Sequence, residues 1–353
     1  MSQKTTRFLI AASGTGGHLF PALAVAQSLK GYDIQWLGVP DRLEQVLVPK
    51  EYPLHAIALE GFQTRFGLNT LGILARFAAS ILRVRKLLAT HKIDAVFTTG
   101  GYIAAPAILA ARWQGIPVVL HESNAFPGKV TRWFAPWCTA VAIGFKEATQ
   151  HLDGKTEWVG TPVRPSFLTP QPLDLPIPPD APLIVVAGGS QGAVAVNQLV
   201  RQCAPTWLNS GAYVVHLTGD RDPDALSFEH PHYFSLPFYD NMAGLFQRAN
   251  FAVSRAGAGT LVELAATHTP ALLIPYPYAA DNHQAHNAEV FEKAGAALVC
   301  EQEQLTAEAL EKAVLNVLRD RDRLSKMAHQ AASLAVFDSS ERLAALLSVL
   351  SKQ

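Results

Sequence analysis

What this chain of 353 residues lacks narrows its function before any motif is read. It has no excess of charge: 29 basic residues stand against 29 acidic ones, and 16% of residues are charged. A protein that grips nucleic acid by neutralising many phosphates needs a net positive surface, so no nucleic-acid partner is expected. Cysteine is scarce as well. Cys138, Cys203 and Cys300 are far apart and odd in number, which argues against a disulfide frame or a zinc site and suits a reducing compartment. No apolar run approaches the roughly 20 residues of a membrane-spanning helix. The stretch "FLIAA" ahead of the first glycines is too short for the core of a secretory signal.

Apolar residues, by contrast, are plentiful at 49%, and a chain of this length has two domains as its natural expectation. The first half alternates short, fully apolar β-rich runs ("RFLIAA", "DIQWLGV", "DAVFTT", "IPVVLHE", "CTAVAIGF") with helical patterns. That alternation marks a parallel sheet covered on both faces. Prolines crowd the stretch from Pro162 to Pro182, too densely for a helix or a central strand, which reads as a linker. The pattern then restarts with "PLIVVAGGSQGAVAVNQLV". The expectation is an α/β protein of two Rossmann-like, doubly wound domains facing across a cleft, residues 1–162 and 163–338. A last helix, 339–353, packs back on the first domain.

Ligands of such sheets sit at the carboxyl ends of the strands, and three of those ends are stripped to glycine. The first, "SGTGGHLFP", has Leu19 where a dinucleotide fingerprint wants its third glycine, and no Walker lysine follows. What remains is Gly14, Gly16 and Gly17 at the head of a helix, where free N–H groups and the dipole suit an anion. A tight turn with His18 near its cap is the alternative. Gly100 and Gly101 end another strand. Gly188, Gly189 and Gly192 bracket Ser190, a hydroxyl placed to donate to phosphate. Together they point to a phosphate-bearing ligand.

Other polar residues collect at the same ends. Glu263 follows "RAGAGT", either to accept from the vicinal hydroxyls of a ribose or to complement a helix dipole. Asp281, Gln284 and Asn287 enter a helix, as sugar ligands or caps. "HESN", His121 to Asn124, closes an apolar strand. In "GDRDPD", Asp220, Asp222 and Asp224 have the spacing for a divalent ion, but a solvated turn is the preferred reading.

The ordered string "GTGGH-x-FPALA", "GGY-x-x-x-P", "HE-x-N", "GTPVR", "GGSQGA", "RAGAGT-x-x-E" and "DNHQ-x-x-NA" spans nearly the whole chain. It resembles the MurG family of peptidoglycan glycosyltransferases, departing from the family pattern at Ser123 and Thr131. The resemblance implies a GT-B fold and the inverting transfer of N-acetylglucosamine from UDP to the muramic acid 4-hydroxyl of the polyprenyl-linked acceptor, lipid I. It implies UDP-N-acetylglucosamine contacts from Thr15, Gly16, Gly17, Asn124, Arg164, Ser190, Tyr239, Ala258, Gly259, Thr260, Leu261, Val262, Glu263 and Gln284. Gly14, Gly100, Gly101 and Tyr102 fall to the acceptor diphosphate. His18 is the candidate general base, or else a positioning residue. No tightly bound cofactor is expected and no metal site is assigned, although a divalent cation remains compatible.

Two rivals share the nucleotide: a UDP-N-acetylglucosamine 2-epimerase and a non-catalytic nucleotide-sugar sensor. A lipid acceptor also implies a peripheral position at the cytoplasmic face of the plasma membrane, with cell-wall synthesis proteins as possible partners. Leu71, Leu74, Phe77, Ala78 and Ile81 recur at helical spacing. Arg76, Arg83, Arg85 and Lys86 add a basic set, and Arg65, Phe62 and Phe66 lie in the loop before it. Most of that apolar stripe is expected to be buried against the sheet, with the loop and the helix start touching anionic lipid.

Overall fold

The computed structural model describes residues 5–59, 70–189 and 193–352, apart from the side chains of residues 70 and 71. The chain forms two compact units, Met1–Pro162 with Val336–Gln353, and Val163–Ala335. It re-enters the first unit at Val336, ahead of the boundary expected after residue 338.

The first unit is built on a parallel sheet of seven strands: β1 (Arg7–Ala11), β2 (Asp33–Gly38), β3 (Leu54–Ala56), β4 (Ala95–Thr98), β5 (Val118–Glu122), β6 (Ala140–Ile143) and β7 (Thr156–Trp158). Their order is β3-β2-β1-β4-β5-β6-β7, so the winding direction reverses between β1 and β4. Phe8, Leu9, Ile10, Val96, Phe97 and Leu120 are buried, as strands covered on both faces require. The helices α1 (Gly16–Ser28), α2 (Glu44–Leu47), α3 (Thr70–Thr90), α4 (Ala104–Trp113) and α5 (Lys129–Phe134) connect them.

The second unit repeats the plan with six parallel strands: β8 (Leu183–Ala187), β9 (Tyr213–Leu217), β10 (Tyr233–Leu236), β11 (Phe251–Ser254), β12 (Ala271–Leu273) and β13 (Ala297–Val299). The order β10-β9-β8-β11-β12-β13 reverses between β8 and β11. Its helices are α6 (Val194–Asn209), α7 (Met242–Arg248), α8 (Ala258–Ala266), α9 (His283–Lys293), α10 (Ala307–Arg319) and α11 (Arg321–Ser333).

The final helix, α12 (Ser339–Leu350), belongs to the first unit, as the sequence predicts. Leu343, Leu347 and Leu350 join Leu19, Ala22 and Val25 of α1 in one buried cluster. The Tyr32 hydroxyl and Ser348 Oγ are hydrogen-bonded at 2.9 Å.

Helix α3 corrects the expected stripe. Its buried positions are Ser80, Val84 and Leu88, whereas Leu74 is 52% exposed and Ala78 is exposed too. Phe77 and Ile81 are half-buried. The apolar face therefore continues past the part that the sheet layer covers. Arg65, Phe62 and Phe66 lie outside the described residues, and so does the side chain of Leu71.

Candidate functional site

In an open parallel sheet the strand ends splay apart where the winding reverses, leaving a crevice that side chains and backbone can line. In the first unit that point lies beyond β1 and β4, and the sequence motifs converge on it. Gly14 turns the chain after β1 with φ +100°, and nothing lies within 4 Å of where its Cβ would be. Thr15 then starts α1 without a side-chain cap, leaving the amino end of the helix to another partner.

His18 lies in the first turn of α1 and is tied to the end of β4 twice. Its Nδ1 lies 2.7 Å from the Thr99 carbonyl oxygen, and Thr99 Oγ1 donates to the His18 carbonyl at 3.0 Å. A carbonyl only accepts, so Nδ1 carries a proton, and in the neutral form of the ring Nε2 is the nitrogen left to accept one. Gly100 and Gly101 take φ of +86° and +73° beside that ring, where a Cβ on Gly101 would sit 3.6 Å from His18 Nε2. Their bareness keeps the approach to Nε2 open. Tyr102, next in the chain, is 47% exposed.

The "HESN" end of β5 is organised by Glu122. Its Oε1 accepts from the Asn124 N–H and from Asn124 Nδ2, each at 2.9 Å, and its Oε2 accepts from the Gly128 N–H at 3.0 Å. The orientation of the Asn124 amide is thereby set. His121 is fully buried and donates from Nε2 to the Gly160 carbonyl at 2.9 Å, while Ser123 Oγ lies 3.4 Å from its Nδ1. Burial pushes the His121 pKa below that of a free imidazole, and His18 adds to that, against smaller upward pulls from Gly160 and Glu122. His121 is thus a neutral strut.

In the second unit, the bare turn Gly188–Gly189 follows β8, with Gly189 at φ +88°. Ser190 and Gly192 lie outside the described residues. The adjacent turn leads into α8, where Ala258, Gly259, Thr260, Leu261 and Val262 precede Glu263. Glu263 occupies the second turn of α8, and no acidic residue stands in the first. Dipole complementation therefore does not account for it. Its Oε1 accepts from Arg164 Nη2 at 3.0 Å, and the guanidinium carbon of Arg164 lies 4.8 Å from the centre of the Phe167 ring. Burial pushes the Glu263 pKa up, and Arg164 pulls it part of the way back.

Gln284 and Asn287 separate in role. Gln284 Oε1 accepts from the Ala256 and Tyr276 N–H groups at 3.2 and 2.9 Å, fastening the ends of β11 and β12 together. Its amide nitrogen has no partner among the described residues. Asn287 is fully buried and donates to the Ala256 carbonyl, so it is a structural tie and not a sugar ligand. Asp281 takes a left-handed backbone, φ +51°, just ahead of α9. The Tyr239 hydroxyl donates to Asp174, and burial with that carboxylate raises its pKa to about 12.

The "GDRDPD" loop is a turn with Asp220 and Asp224 exposed, as expected, but its middle acid is not solvated. Asp222 is 8% exposed and pairs with Arg201 at 2.7 Å, accepting also from Asn197 Nδ2 and the Asp224 N–H. Burial acts to raise its pKa, and these donors together hold it below the usual carboxylate value. The network continues from Asn197 to His216 and Tyr233. Among the described residues no group of three or more His, Cys, Asp or Glu could hold a metal ion.

Sequence reasoning missed Thr99 and Arg255, and it did not single out Glu122 from the rest of "HESN". Arg255 is buried and reaches the Ile274 and Pro275 carbonyls and Gln302 Oε1, fixing the loop after β12. Its signal was a lone arginine ahead of "AGAGT".

Two doubly wound parallel units with glycine turns at their reversal points have the architecture of the GT-B fold. Residues 8–143 match the glycosyltransferase family 28 N-terminal domain, and residues 183–343 the family 28 C-terminal domain. The UDP-N-acetylglucosamine–N-acetylmuramyl-(pentapeptide) pyrophosphoryl-undecaprenol N-acetylglucosamine transferase of Gloeothece citriformis is 69% identical over 307 residues, 87% of this chain and 85% of that protein. The crystal structure of Acinetobacter baumannii MurG superposes with a TM-score of 0.78 at 28% identity, covering 98% of this chain and all of that one. A putative UDP-N-acetylglucosamine 2-epimerase from Listeria monocytogenes shares the fold alone, at 15% identity and a TM-score of 0.72 over 99% of this chain and 98% of that one. The chain belongs to the MurG family.

Proposed function

We propose that the protein transfers N-acetylglucosamine from UDP-N-acetylglucosamine to the muramic acid 4-hydroxyl of undecaprenyl-pyrophosphoryl-MurNAc-pentapeptide, forming lipid II. The observation that carries this reading is His18, whose Nδ1–H is spent on Thr99 and whose Nε2 is left as a base. An epimerase or a sensor needs no such group facing a second substrate.

An α-linked donor and a β-linked product call for one displacement with inversion. His18 Nε2 takes the proton of the attacking hydroxyl as the new bond forms. The turn around Gly14, Thr15, Gly16 and Gly17, with Gly100, Gly101 and Tyr102, receives the acceptor's phosphates, while Thr15, Gly16, Gly17 and Asn124 also meet the donor sugar. Glu263 accepts from the ribose hydroxyls, and Gln284 offers its amide to the sugar. Ser190 and the amino end of α6 stabilise charge on the departing UDP, together with Arg164. The backbone near Tyr239 reads the uracil edge.

A polyprenyl acceptor places the enzyme against the cytoplasmic leaflet, as a peripheral protein. No helix among the described residues is long and apolar enough to cross a membrane. Leu74, Leu82 and Trp113 are 52, 54 and 62% exposed, and Arg85 lies 4.4 Å over the Trp113 ring. Arg83 and Lys86 are exposed on the same helix. Apolar side chains interleaved with cations suit an anionic lipid surface.

The test is incubation with labelled donor and a lipid I analogue. Label recovered in the lipid supports the proposal. Label that stays on the nucleotide, or appears in an epimeric nucleotide sugar, rejects it.

A further inference from the structure

A fully buried carboxylate with no part in the proposed chemistry is aimed at the first glycine turn. Glu44, at the head of α2, has no exposed surface. Its Oε1 accepts from Ser13 Oγ at 2.5 Å and from the Val39 N–H at 2.7 Å, and its Oε2 accepts from the Gly14 N–H at 3.2 Å. All of these donors are neutral. The end of β2 is hollowed to admit the group: a Cβ on Gly38 would stand 2.8 Å from Glu44 Cγ and 2.9 Å from Oε1. A side chain at residue 38 would force the Glu44 side chain or the strand end to shift.

This arrangement redistributes the donors of the turn. The Gly14 N–H is spent on Glu44, so Gly14 serves by its left-handed backbone and not as a phosphate donor. The His18 N–H goes to the Thr15 carbonyl at 3.0 Å. The N–H groups of Thr15, Gly16 and Gly17 have no partner among the described residues, and they are the ones left for an anion. We infer that Glu44 is a positioning residue, locking Ser13 and Gly14 so that Thr15, Gly16 and Gly17 present their N–H groups to the acceptor's phosphates. The inference rests on reading this turn as the acceptor site. A carboxylate suits the task because its two oxygens offer about four acceptor positions, whereas a glutamine would turn an NH₂ toward a donor.

Three variants test this: Glu44→Gln, the milder Ser13→Ala, and Gly17→Ala. The last probes the turn itself, because a methyl there meets only Thr15 Oγ1 at 3.7 Å. Acceptor KM and kcat are measured on a short-chain lipid I analogue at saturating donor, with UDP affinity by calorimetry and thermal unfolding alongside. Losing hydrogen bonds to a charged group should raise acceptor KM about tenfold in Glu44→Gln, and by less in Ser13→Ala. The expected kcat changes by no more than about twofold, and UDP affinity stays at the parent value, since the chemistry and the nucleotide contacts remain. If Gly17→Ala raises acceptor KM while neither Glu44→Gln nor Ser13→Ala does, Glu44 has no positioning role and the acceptor reading stands. If Gly17→Ala also leaves acceptor KM unchanged, the turn is not the acceptor site and both readings fall. UDP affinity that declines in step with acceptor KM and with the melting temperature overturns the inference, because Glu44 then serves only the fold.

Discussion

His18 and Thr99 hold each other by two hydrogen bonds, Nδ1 to the Thr99 carbonyl at 2.7 Å and Thr99 Oγ1 to the His18 carbonyl at 3.0 Å. The first sets the tautomer and the second sets the height of the helix turn that carries the ring. Replacing His18 by alanine should slow turnover by about 10²–10⁴-fold, the usual cost of a lost general base. UDP-N-acetylglucosamine binding should persist in calorimetry. Near-normal turnover would remove His18 from the base role.

Glu263 should be felt in nucleotide affinity and in its pH dependence. If it accepts from the ribose hydroxyls, Glu263→Ala weakens UDP and donor binding together by about 1.5–3 kcal/mol. Burial raises its pKa and Arg164 opposes that rise, so the accepting carboxylate is lost as pH falls through the raised value. Arg164→Leu removes the opposing pull and should move that loss of affinity to higher pH. UDP itself titrates, so the comparison is between variants. Identical pH profiles for the parent and Glu263→Gln would show that the carboxyl does not contact the nucleotide.

His216 makes a prediction about acid stability. Burial, helped by Arg201, lowers its pKa from 6.5 to about 3, while Asp222 pulls the other way. Below pH 6.5 the unfolded chain takes up a proton that the folded state refuses until about pH 3, so stability is lost as pH falls across that window. His216→Gln, which cannot charge, should flatten the dependence of the urea midpoint on pH there. An unchanged slope would mean that other groups set the acid limit.

Membrane contact can be tested on α3 and α4 alone. Charge reversal of Arg83, Arg85 and Lys86 to glutamate should weaken binding to anionic vesicles by about 1 kcal/mol per residue at low salt, and by less as salt rises. Leu74→Ser with Trp113→Ser should weaken it with little salt dependence. Activity on a short-chain, soluble acceptor should survive in both. Parent-like vesicle binding by both variants would place the contact elsewhere.

The tandem sheets were legible because both-face burial leaves strands as unbroken apolar runs, and three of those runs ended in bare glycine turns. His18 was legible for the same reason, as a titratable residue in a turn otherwise bare. Its partner was not, since Thr99 offers a backbone carbonyl that any residue type could supply. The roles of Glu122 and Glu44 escaped because two of the three donors each gathers are backbone N–H groups, and backbone carries no signature in the side-chain pattern. Asn287 and Gln284 share a helix and a chemistry, and only burial separates the tie from the candidate ligand. The stripe on α3 was misread because periodicity reveals that a helix has an apolar face, not how much of it the sheet layer covers.

The helix α12 has a consequence for the order of events during synthesis. The strands and helices of the first unit leave the ribosome first, yet Leu343, Leu347 and Leu350 close the cluster around Leu19, Ala22 and Val25. A nascent chain that has produced every strand of that sheet still lacks part of its core, and the flank of α1 stays wet until the second unit has been translated. The core of the first unit is therefore complete only once the far end of the chain has been added.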